Sequence, residues 1–402
     1  MNPVFFTFFY PPLMAPRSIQ IARMVKYSRH PIRVICAQAD KLSDTTLEGA
    51  WGHNPKRIDR IPWAKHGWYL PWNALLHPPV PDHYRHWAMT TAQSAIERGF
   101  FRDHDFLVTF GQPMSDHLAG LKIKKSTGLP WLAHFSDPWS DSPYRGRWPL
   151  VSSLNRHEER AVVAAADCVV FTSDETLDLV MAKYPGTWRT KARVLPHAFD
   201  PSLYRDACER KDRFLIRHLG ALRKPRTADA LLRGLQHLAI TRPDIAARIQ
   251  VELVGRVESD MNLERVRTEL PDGVFKVTRS VDYLTSLTMM SESDLLLVLD
   301  APFDSSVFLP SKLIDYIGAG RPILAVTPQG TSGELVAQLG GWTVDPLDPA
   351  AIARKLVEAV EASTNLDRAA TWGTPSVRNR YEATSVVAAF DDMIEEFART
   401  IT

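Results

Sequence analysis

FLPSKLIDYIGAGRPILAVTPQGTSGELV occupies residues 308–336 and decides the fold. Pro310 and Ser311 favour the first turn of a helix, and apolar residues then recur at helical spacing until Gly318. Residues 323–326, ILAV, form a short apolar run that is typical of a strand buried in a parallel sheet. The stretch therefore predicts a helix, a strand and a polar turn of a parallel α/β sheet, whose carboxyl edge collects ligands.

The start of this helix has the chemistry of an anion site. Free backbone N–H groups at a helix start bind phosphate, and Ser311 and Lys312 add side-chain donors. Glu334, in the polar turn TPQGTSGE, is a candidate nucleoside-binding residue. The segment predicts a nucleotide-sugar donor site in which Ser311 and Lys312 bind the diphosphate.

The length of 402 residues favours two domains of roughly 200 residues each. Strand-like runs alternate with helical patterns in both halves, which indicates parallel sheets with helices on both faces. We predict an N-terminal Rossmann-like domain over residues 1–205 and a C-terminal one over residues 206–376, joined by a polar stretch. An amphipathic helix over residues 377–402 is expected to cross back to the N-terminal domain.

The predicted strands are short apolar runs in both halves. In the first half they are residues 4–9, 32–37, 105–110, 131–135, 168–172 and 192–195. In the second half they are residues 214–219, 250–254, 274–277, 295–299 and 323–326.

The charge distribution gives no general attraction to nucleic acid, since the formal net charge is only +2. Locally, residues 17–33 contain five Lys or Arg and no acid. Tryptophans follow at Trp63, Trp68, Trp72 and Trp87. Two interpretations are open: we favour a solvated basic face beside ordinary packed tryptophans, and the alternative is a basic helix beside exposed aromatic residues that makes peripheral contact with an anionic membrane surface.

The three cysteines, Cys36, Cys168 and Cys208, show no CxxC spacing, and the first two lie in apolar strand-like runs. They are expected to be buried, reduced thiols in a reducing compartment. No apolar run reaches the roughly 20 residues of a membrane-spanning helix, and the opening VFFTFFY is predicted to be a core strand. We therefore expect a cytoplasmic protein, with membrane association left open.

Several motifs occur in the order found in a known enzyme family. GLPWLAHFSDPWSD from Gly128, LPHAFDPSLY from Leu195 and HLGALRKPRTADALL from His218 resemble the GT-B glycosyltransferases of the retaining, nucleotide-sugar-dependent type found in bacterial polysaccharide and glycan assembly. The resemblance covers nearly the whole chain. It implies a GT-B fold, in which two Rossmann-like, doubly wound domains face each other across a cleft. It also implies transfer of a sugar from a UDP- or GDP-sugar to a glycan or lipid-linked acceptor, with retention at the anomeric carbon.

The resemblance assigns donor contacts to a basic turn of the second half. Arg226 is the best match to the basic residue that contacts the donor diphosphate, and Arg223 and Lys224 are neighbours that can do the same. A guanidinium binds two phosphate oxygens at once. The alternative is that all three are solvated loop charges.

The acidic motif E-x(7)-E of the family is incomplete in this chain. Alignment on the helix SKLIDYIGAG places Asp315 at the second acid and Val307 at the first. The resemblance implies that Asp315 hydrogen-bonds the ribose hydroxyls, so Asp315 joins Glu334 as a nucleoside-binding candidate. The first acid, which the resemblance assigns to recognition of the sugar, is missing, and Asp304 is a candidate to replace it. The alternative for Asp315 is a helix-surface residue without a function.

Two residues that follow strands of the first half are the catalytic candidates. His117 follows the strand DFLVTF and the turn GQPMSD, whereas Asp137 follows the strand WLAHF, which contains His134. A histidine can take the proton of an acceptor hydroxyl, and a carboxylate can orient that hydroxyl. The resemblance leaves open that the departing diphosphate itself takes the proton, and a packing role is the alternative for each histidine.

A metal site is not expected, because no DxD-like carboxylate pair follows a strand and the histidines show no HxxxH or HxH pair that joins other ligands. A helix dipole together with Arg and Lys can neutralise a departing diphosphate instead. We therefore expect no metal and no cofactor, since the nucleotide-sugar is a substrate.

Three other functions are weighed against transfer. A nucleotide-sugar epimerase and a catalytically silent GT-B protein that binds a sugar nucleotide both remain open. An NAD-dependent dehydrogenase is disfavoured, because neither half has G-x-G-x-x-G after its first strand.

Overall fold

The computed structural model describes residues 1–38, 44–51, 57–63, 80–142, 148–205, 213–364, 366–367 and 370–401. It separates into two compact units, residues 1–197 with 383–402 and residues 198–382. Each unit contains one parallel sheet whose strands alternate with helices along the chain, so the predicted pair of Rossmann-like domains is confirmed. The sequence predicts joins after residues 205 and 376, and the structure has them after residues 197 and 382.

The first unit is built on a seven-stranded parallel sheet. Its strands are β1 (Pro3–Phe6), β2 (Arg33–Ala37), β3 (Ile58–Ile61), β4 (Phe106–Gly111), β5 (Trp131–Phe135), β6 (Cys168–Phe171) and β7 (Ala192–Val194). Their spatial order is β3-β2-β1-β4-β5-β6-β7, so the strand order reverses between β1 and β4. The sequence predicts all of these strands except β3, whose charged residues interrupt the apolar pattern. Its Asp59 accepts a hydrogen bond of 2.6 Å from Arg33 Nε on β2.

The helices of the first unit lie between its strands in the chain. They are α1 (Pro16–Tyr27), α2 (Thr46–Trp51), α3 (Arg85–Glu97), α4 (Ser115–Thr127), α5 (Pro149–Ala165) and α6 (Asp174–Met181). Trp131, Ala133 and Phe135 of β5 belong to one hydrophobic core. Because side chains alternate along a strand, His134 lies on the other face of the sheet, where it contacts Arg17 of α1.

The second unit is built on a six-stranded parallel sheet. Its strands are β8 (Phe214–Leu219), β9 (Ile249–Val254), β10 (Phe275–Thr278), β11 (Leu295–Leu299), β12 (Ile323–Val326) and β13 (Trp342–Val344). Their spatial order is β10-β9-β8-β11-β12-β13, which puts the reversal of strand order between β8 and β11. The sequence predicts all of them except β13, which has only three residues after two glycines.

The helices of the second unit also follow its strands. They are α7 (Asp229–Thr241), α8 (Pro243–Arg248), α9 (Leu263–Glu269), α10 (Tyr283–Ser291), α11 (Ser311–Ala319), α12 (Thr331–Gln338), α13 (Pro349–Thr364) and α14 (Pro375–Asn379). Residues 308–336 thus form α11 and β12, as predicted, but the predicted polar turn TPQGTSGE is shorter than expected, because α12 begins at Thr331.

The C-terminal helix belongs to the first unit. The predicted single helix is interrupted, because Phe199 N donates to Tyr381 O at 2.9 Å and so holds that backbone outside a helix. The chain resumes as α15 (Ala383–Ile401), which packs on α1. Asp391 of α15 accepts hydrogen bonds from Ser28 Oγ at 2.7 Å and from Arg29 N at 2.8 Å.

The predicted basic surface over residues 17–33 is not present. Arg17, Arg23 and Arg33 are buried, as is Trp87. The alternative of a basic helix face beside exposed tryptophans is therefore wrong for these residues, because the guanidinium groups make internal contacts. Trp68 and Trp72 lie outside the described residues, and Trp63 packs against the core of the first unit. No helix in the described part of the chain is long and apolar enough to cross a bilayer.

Two of the three cysteines are buried free thiols, as predicted. They are Cys36 on β2 and Cys168 on β6. Burial raises the pKa of Cys168 to about 12, which keeps this thiol protonated and unreactive near neutral pH. Cys208 lies outside the described residues.

Candidate functional site

The carboxyl edge of the second unit's sheet carries Lys312, one of the predicted donor-binding residues. β8 and β11 are neighbours where the strand order reverses, which is where open α/β sheets bind ligands. Gly220 follows β8 with a φ of 126°, a conformation that favours glycine. A Cβ atom at Gly220 would lie 3.0 Å from Lys312 Nζ. The glycine therefore leaves room for the lysine side chain at this edge.

Lys312 is held by a histidine of β8. Its Nζ lies 3.0 Å from Nε2 of His218, and Nδ1 of His218 lies 2.9 Å from the carbonyl oxygen of Leu297. Because a carbonyl only accepts hydrogen bonds, Nδ1 carries the ring proton. Nε2 of the neutral ring is then the acceptor for an N–H of Lys312. His218 is fully buried, so this acceptor has a fixed position.

The environment of Lys312 disfavours positive charge. Burial lowers the pKa of Lys312 well below its usual value, Arg226 lowers that pKa further, and Asp300 acts in the opposite direction. Burial likewise lowers the pKa of His218, and the charge of Lys312 adds to that shift. Among the described residues no carboxylate forms an ion pair with Lys312. This arrangement can accept an anion, which would supply the missing negative charge.

Arg226 is the second cation of this edge. It is partly buried, its Nη2 donates to Ala221 O at 3.2 Å, and its Nε is buried with no hydrogen-bond partner in the described structure. Arg223 and Lys224 are exposed, and Lys224 Nζ lies 2.5 Å from Asp260. The structure therefore brings Arg226 close to Lys312. Arg223 and Lys224 lie on the surface, which fits the alternative that they are solvated loop charges.

The start of α11 offers backbone donors beside these cations. Ser311 is the first helical residue and is partly buried. The residue before it, Pro310, makes no side-chain hydrogen bond to the first turn. The helix start therefore has no side-chain cap that would compete with a ligand for its N–H groups.

Asp315 is buried one turn into α11. Its Oδ1 accepts a hydrogen bond of 2.9 Å from Tyr283 Oη, and its backbone oxygen accepts one of 3.0 Å from Tyr204 Oη. The alternative that Asp315 is a helix-surface residue is therefore wrong. Its carboxylate is held by α10, so a ribose hydroxyl would share it with Tyr283.

The other acidic candidates are more exposed. Glu334 in α12 and Asp304 in the loop after β11 both face solvent, whereas Val307 is partly buried. The loop is fixed to the turn before α12, because Ser306 N donates to Gln329 O at 2.8 Å. Asp304 and Glu334 are therefore carried by two segments that are tied together at this edge.

The corresponding edge of the first unit is organised around Arg17 of α1. Its Nη1 lies 3.3 Å from Nδ1 of His134, and its Nη2 donates to the carbonyl oxygens of Gly111 and His134. Burial lowers the pKa of Arg17 to about 10, while Asp137 and Asp116 act in the opposite direction. The guanidinium thus ties the ends of β4 and β5 to the start of α1.

The histidines near Arg17 are neutral. A guanidinium only donates, so Nδ1 of His134 accepts and the ring proton lies on Nε2. Burial lowers the pKa of His134 well below its usual value, and Arg17 adds to the shift. The same two causes lower the pKa of His197 to about 3. His134 is therefore a neutral ring that can donate through Nε2.

The position of His117 argues against its predicted catalytic role. The ring is fully buried, with Nδ1 2.8 Å from Thr109 Oγ1 and its centroid 4.3 Å from that of Phe135. Burial lowers the pKa of His117 to about 3. Because a substrate does not reach a fully buried ring, the packing alternative fits this residue better.

Asp137 is better placed. It is partly buried beyond the end of β5 and accepts a hydrogen bond of 3.0 Å from Gln112 Nε2, which follows β4. A partly exposed carboxylate at this edge can accept a hydrogen bond from a hydroxyl group. Asp137 therefore remains the acceptor-positioning candidate.

No cluster of three or more potential metal ligands occurs among the residues that the structure describes.

Sequence reasoning missed the roles of His218 and Arg17. His218 has a recognisable signal, because it is a polar residue near the end of the apolar strand FLIRHL and precedes a glycine turn. Arg17 has no recognisable signal in the sequence, because its hydrogen-bond partners lie 94 and 117 residues away in the chain.

Each unit contains a parallel sheet with polar groups at its carboxyl edge. Two such Rossmann-like units define the class of protein, because the fold is that of the GT-B glycosyltransferases. The resemblance drawn from the sequence motifs is confirmed at the level of the fold.

Comparison with solved structures gives particular neighbours. HepE from Anabaena, in complex with UDP-glucose, superposes with a TM-score of 0.67 at 15% identity over 98% of this chain and 99% of its own. Sucrose-phosphate synthase from Thermosynechococcus elongatus gives 0.67 at 14% identity over 100% of both chains. An α,α-trehalose-phosphate synthase (UDP-forming) from Burkholderia xenovorans, in complex with glucose-6-phosphate, gives 0.68 at 11% identity over 99% and 100%. No protein-family model and no curated protein matches the sequence.

Proposed function

We propose that the chain is a glycosyltransferase that moves a sugar from a UDP-sugar to an acceptor hydroxyl, with retention and without a metal ion. The observation that carries this proposal is the pair of cations at the second unit's edge: the charge of Arg226 lowers the pKa of Lys312, and no carboxylate of the described residues forms an ion pair with Lys312. A diphosphate supplies two negative charges at such a place. UDP is favoured over GDP because HepE, which shares the fold, is in complex with UDP-glucose.

The second unit would bind the donor. Lys312, Arg226, Ser311 and the N–H groups of α11 would bind the diphosphate, and Asp315 would bind the ribose with Glu334 nearby. Positive charge held in place before the reaction stabilises the diphosphate as its bond to the sugar breaks. Arg223 and Lys224 would add only long-range attraction, since both are exposed.

The first unit would bind the acceptor. Asp137 would orient the acceptor hydroxyl, and His134 would donate a hydrogen bond through Nε2. Since His134 is neutral with Nδ1 engaged by Arg17, it is not a base. The departing diphosphate would then take the acceptor proton, while the new bond forms on the face that the diphosphate leaves.

The acceptor would be an uncharged glycan or a lipid-linked saccharide. Groups at the first unit's edge are neutral rings and one partly exposed carboxylate, and the Arg17 guanidinium already donates to two carbonyl groups. These groups suit hydroxyl recognition better than recognition of an anion.

A ligand screen by thermal shift tests the donor, because a ligand that binds only the folded chain raises its melting temperature. UDP, GDP, ADP, CMP, dTDP and NAD are compared on the wild type, Arg226→Ala and Asp315→Ala. The proposal expects a shift with UDP that both variants reduce. A shift with NAD alone contradicts it, whereas a shift with GDP changes the donor base only.

Turnover is tested by the release of UDP from UDP-sugars with and without candidate saccharide acceptors, in EDTA. Acceptor-dependent release that survives EDTA supports metal-independent transfer. A catalytically silent sugar-nucleotide-binding protein is the second candidate, because Val307 stands where the family has its first acid. Binding without release under any acceptor condition favours that candidate.

A further inference from the structure

Lys312 occupies a place that disfavours a cation in the free protein. It is the second residue of α11, where the helix dipole is positive. Its amine is near Arg226, and no carboxylate of the described residues pairs with it. Its hydrogen-bond partner, Nε2 of His218, is a neutral acceptor at 3.0 Å. A neutral amine and an ammonium can both donate an N–H to that nitrogen, so this contact holds in either protonation state.

We propose that the second unit takes up a proton at Lys312 when it binds a diphosphate sugar donor, and that His218 is the positioning residue which holds Lys312 Nζ in both protonation states. This inference rests on the proposed function, since it concerns the same donor site. The proton comes from solvent and converts the amine to an ammonium, with no other bond made or broken.

Two charged groups act on Lys312 in opposite directions. Arg226 in the turn after β8 repels a proton, and Asp300 after β11 attracts one. Asp300 already accepts a hydrogen bond of 2.7 Å from Ser306 Oγ. Tyr316, one turn further along α11, has a hydroxyl that accepts from Leu219 N at 2.9 Å.

His218 is the other base in contact, but its ring stays neutral. Its Nδ1–H is engaged by the Leu297 carbonyl, and a proton on Nε2 would face the Lys312 amine in a buried environment. A bound diphosphate adds negative charge that favours the charged form of Lys312. Lysine is therefore the group that gains the proton.

Proton uptake is measured by isothermal titration of UDP-glucose in buffers of different ionisation enthalpy, from pH 6.5 to 8.5. UDP-glucose is the probe because its diphosphate is esterified at both ends and does not titrate in this range. The wild type is expected to take up as much as one proton per site, with affinity falling by up to about ten-fold per pH unit as the pH rises. Lys312→Arg is expected to bind without uptake, because a guanidinium stays charged.

The outcomes separate the two proposals. Binding of UDP-glucose without proton uptake, or uptake that persists in Lys312→Arg, overturns the inference alone. Failure of the wild type to bind UDP-glucose overturns the proposed UDP-sugar function, and the inference falls with it.

The positioning role is tested with two amides at residue 218. The longer side chain of His218→Gln can place an acceptor near the position of Nε2, whereas His218→Asn is too short. UDP-glucose affinity is expected to fall about ten-fold in His218→Asn and to stay within about three-fold in His218→Gln, with the acceptor KM unchanged in both. Equal affinities in the two variants contradict the role.

The ionisation of Lys312 is also measurable directly. Labelling with an amine-reactive reagent over a pH series, read by mass spectrometry, gives the pH at which each lysine becomes reactive. Lys312 is expected to become reactive at lower pH than the exposed lysines, and UDP-glucose is expected to raise its midpoint. A midpoint that UDP-glucose binding leaves unchanged overturns the inference.

Discussion

The carboxyl edges of the two sheets both contain a cationic side chain beside a neutral histidine, buried for Arg17 and partly buried for Lys312, yet the two side chains differ in what they contact. Arg17 of the first unit donates to two backbone carbonyls and approaches His134. Lys312 of the second unit contacts only the imidazole of His218 by hydrogen bonding among the described residues. The difference indicates that Arg17 holds its own unit together, whereas Lys312 is available to an anion.

The largest effect is expected from removing the cation of the first unit. Arg17→Met removes the donor to Nδ1 of His134 and one donor to each of the carbonyl oxygens of Gly111 and His134, although that of Gly111 still accepts from Ser136 Oγ at 3.0 Å. With roughly 1–3 kcal/mol for each buried group left unpaired, the free energy of unfolding should fall by about 2–6 kcal/mol. Urea unfolding measures it. The matched variant Arg29→Met, at an exposed arginine, should change stability little. Equal losses of stability in both variants would contradict the conclusion that Arg17 holds the first unit together.

The cations of the second unit should affect binding rather than folding. Arg226→Ala is expected to weaken UDP binding by about 1.5–3 kcal/mol, or roughly 10- to 150-fold, because a charge-assisted hydrogen bond is lost. Calorimetric titration gives the affinity. Lys224→Ala is the control at an exposed residue of the same turn and should stay within about two-fold. A comparable loss in the control would show that the turn acts through its general charge.

The neutral histidines of the first unit should make its stability depend on pH. The pKa of His197 is lowered to about 3 in the folded chain from 6.5. The unfolded chain therefore binds more protons between these values, so this stabilisation is complete above pH 6.5 and is lost as the pH falls toward 3. The slope is about 1.4 kcal/mol per pH unit for one histidine. Unfolding of the wild type and His197→Gln between pH 5 and 6.5 should show a slope smaller in the variant by up to this amount, approached toward pH 5 because the unfolded histidine is only half protonated at pH 6.5. Identical slopes would contradict the assignment.

The smallest effect concerns the nucleoside contact. Asp315→Asn is expected to weaken UDP binding about ten-fold, or about 1.4 kcal/mol, because a ribose hydroxyl loses a charged acceptor. Tyr283→Phe removes only the partner of that carboxylate and should stay within about three-fold. If both variants lose affinity equally, Asp315 acts by holding α10 against α11.

The elements of both sheets were largely predictable, because buried parallel strands leave short apolar runs in the sequence. The strands β3 and β13 were missed since one carries charges and the other has three residues. The interruption before α15 was missed because it depends on a backbone hydrogen bond from Phe199, which lies 182 residues earlier.

The residue types of the proposed donor site were predictable from the sequence, whereas those of the first unit's edge were less so. Lys312 and Ser311 follow from a helix start, and Arg226 follows from the resemblance. His117 could not be separated from a surface histidine, because its burial depends on the packing of Phe135 and Thr109 around it.

The sequence by itself determined the alternation of strands and helices, the two-unit organisation and the basic chemistry of the second unit's edge, since these depend on local pattern and residue type. Only the tertiary structure decided which charges are buried, which nitrogen of His218 and His134 carries the proton, and which of four basic residues share one edge. Those properties depend on contacts such as that between Lys312 and His218, which are 94 residues apart in the chain. Local periodicity determines which face of a strand or helix is apolar, but packing determines which residues contact that face.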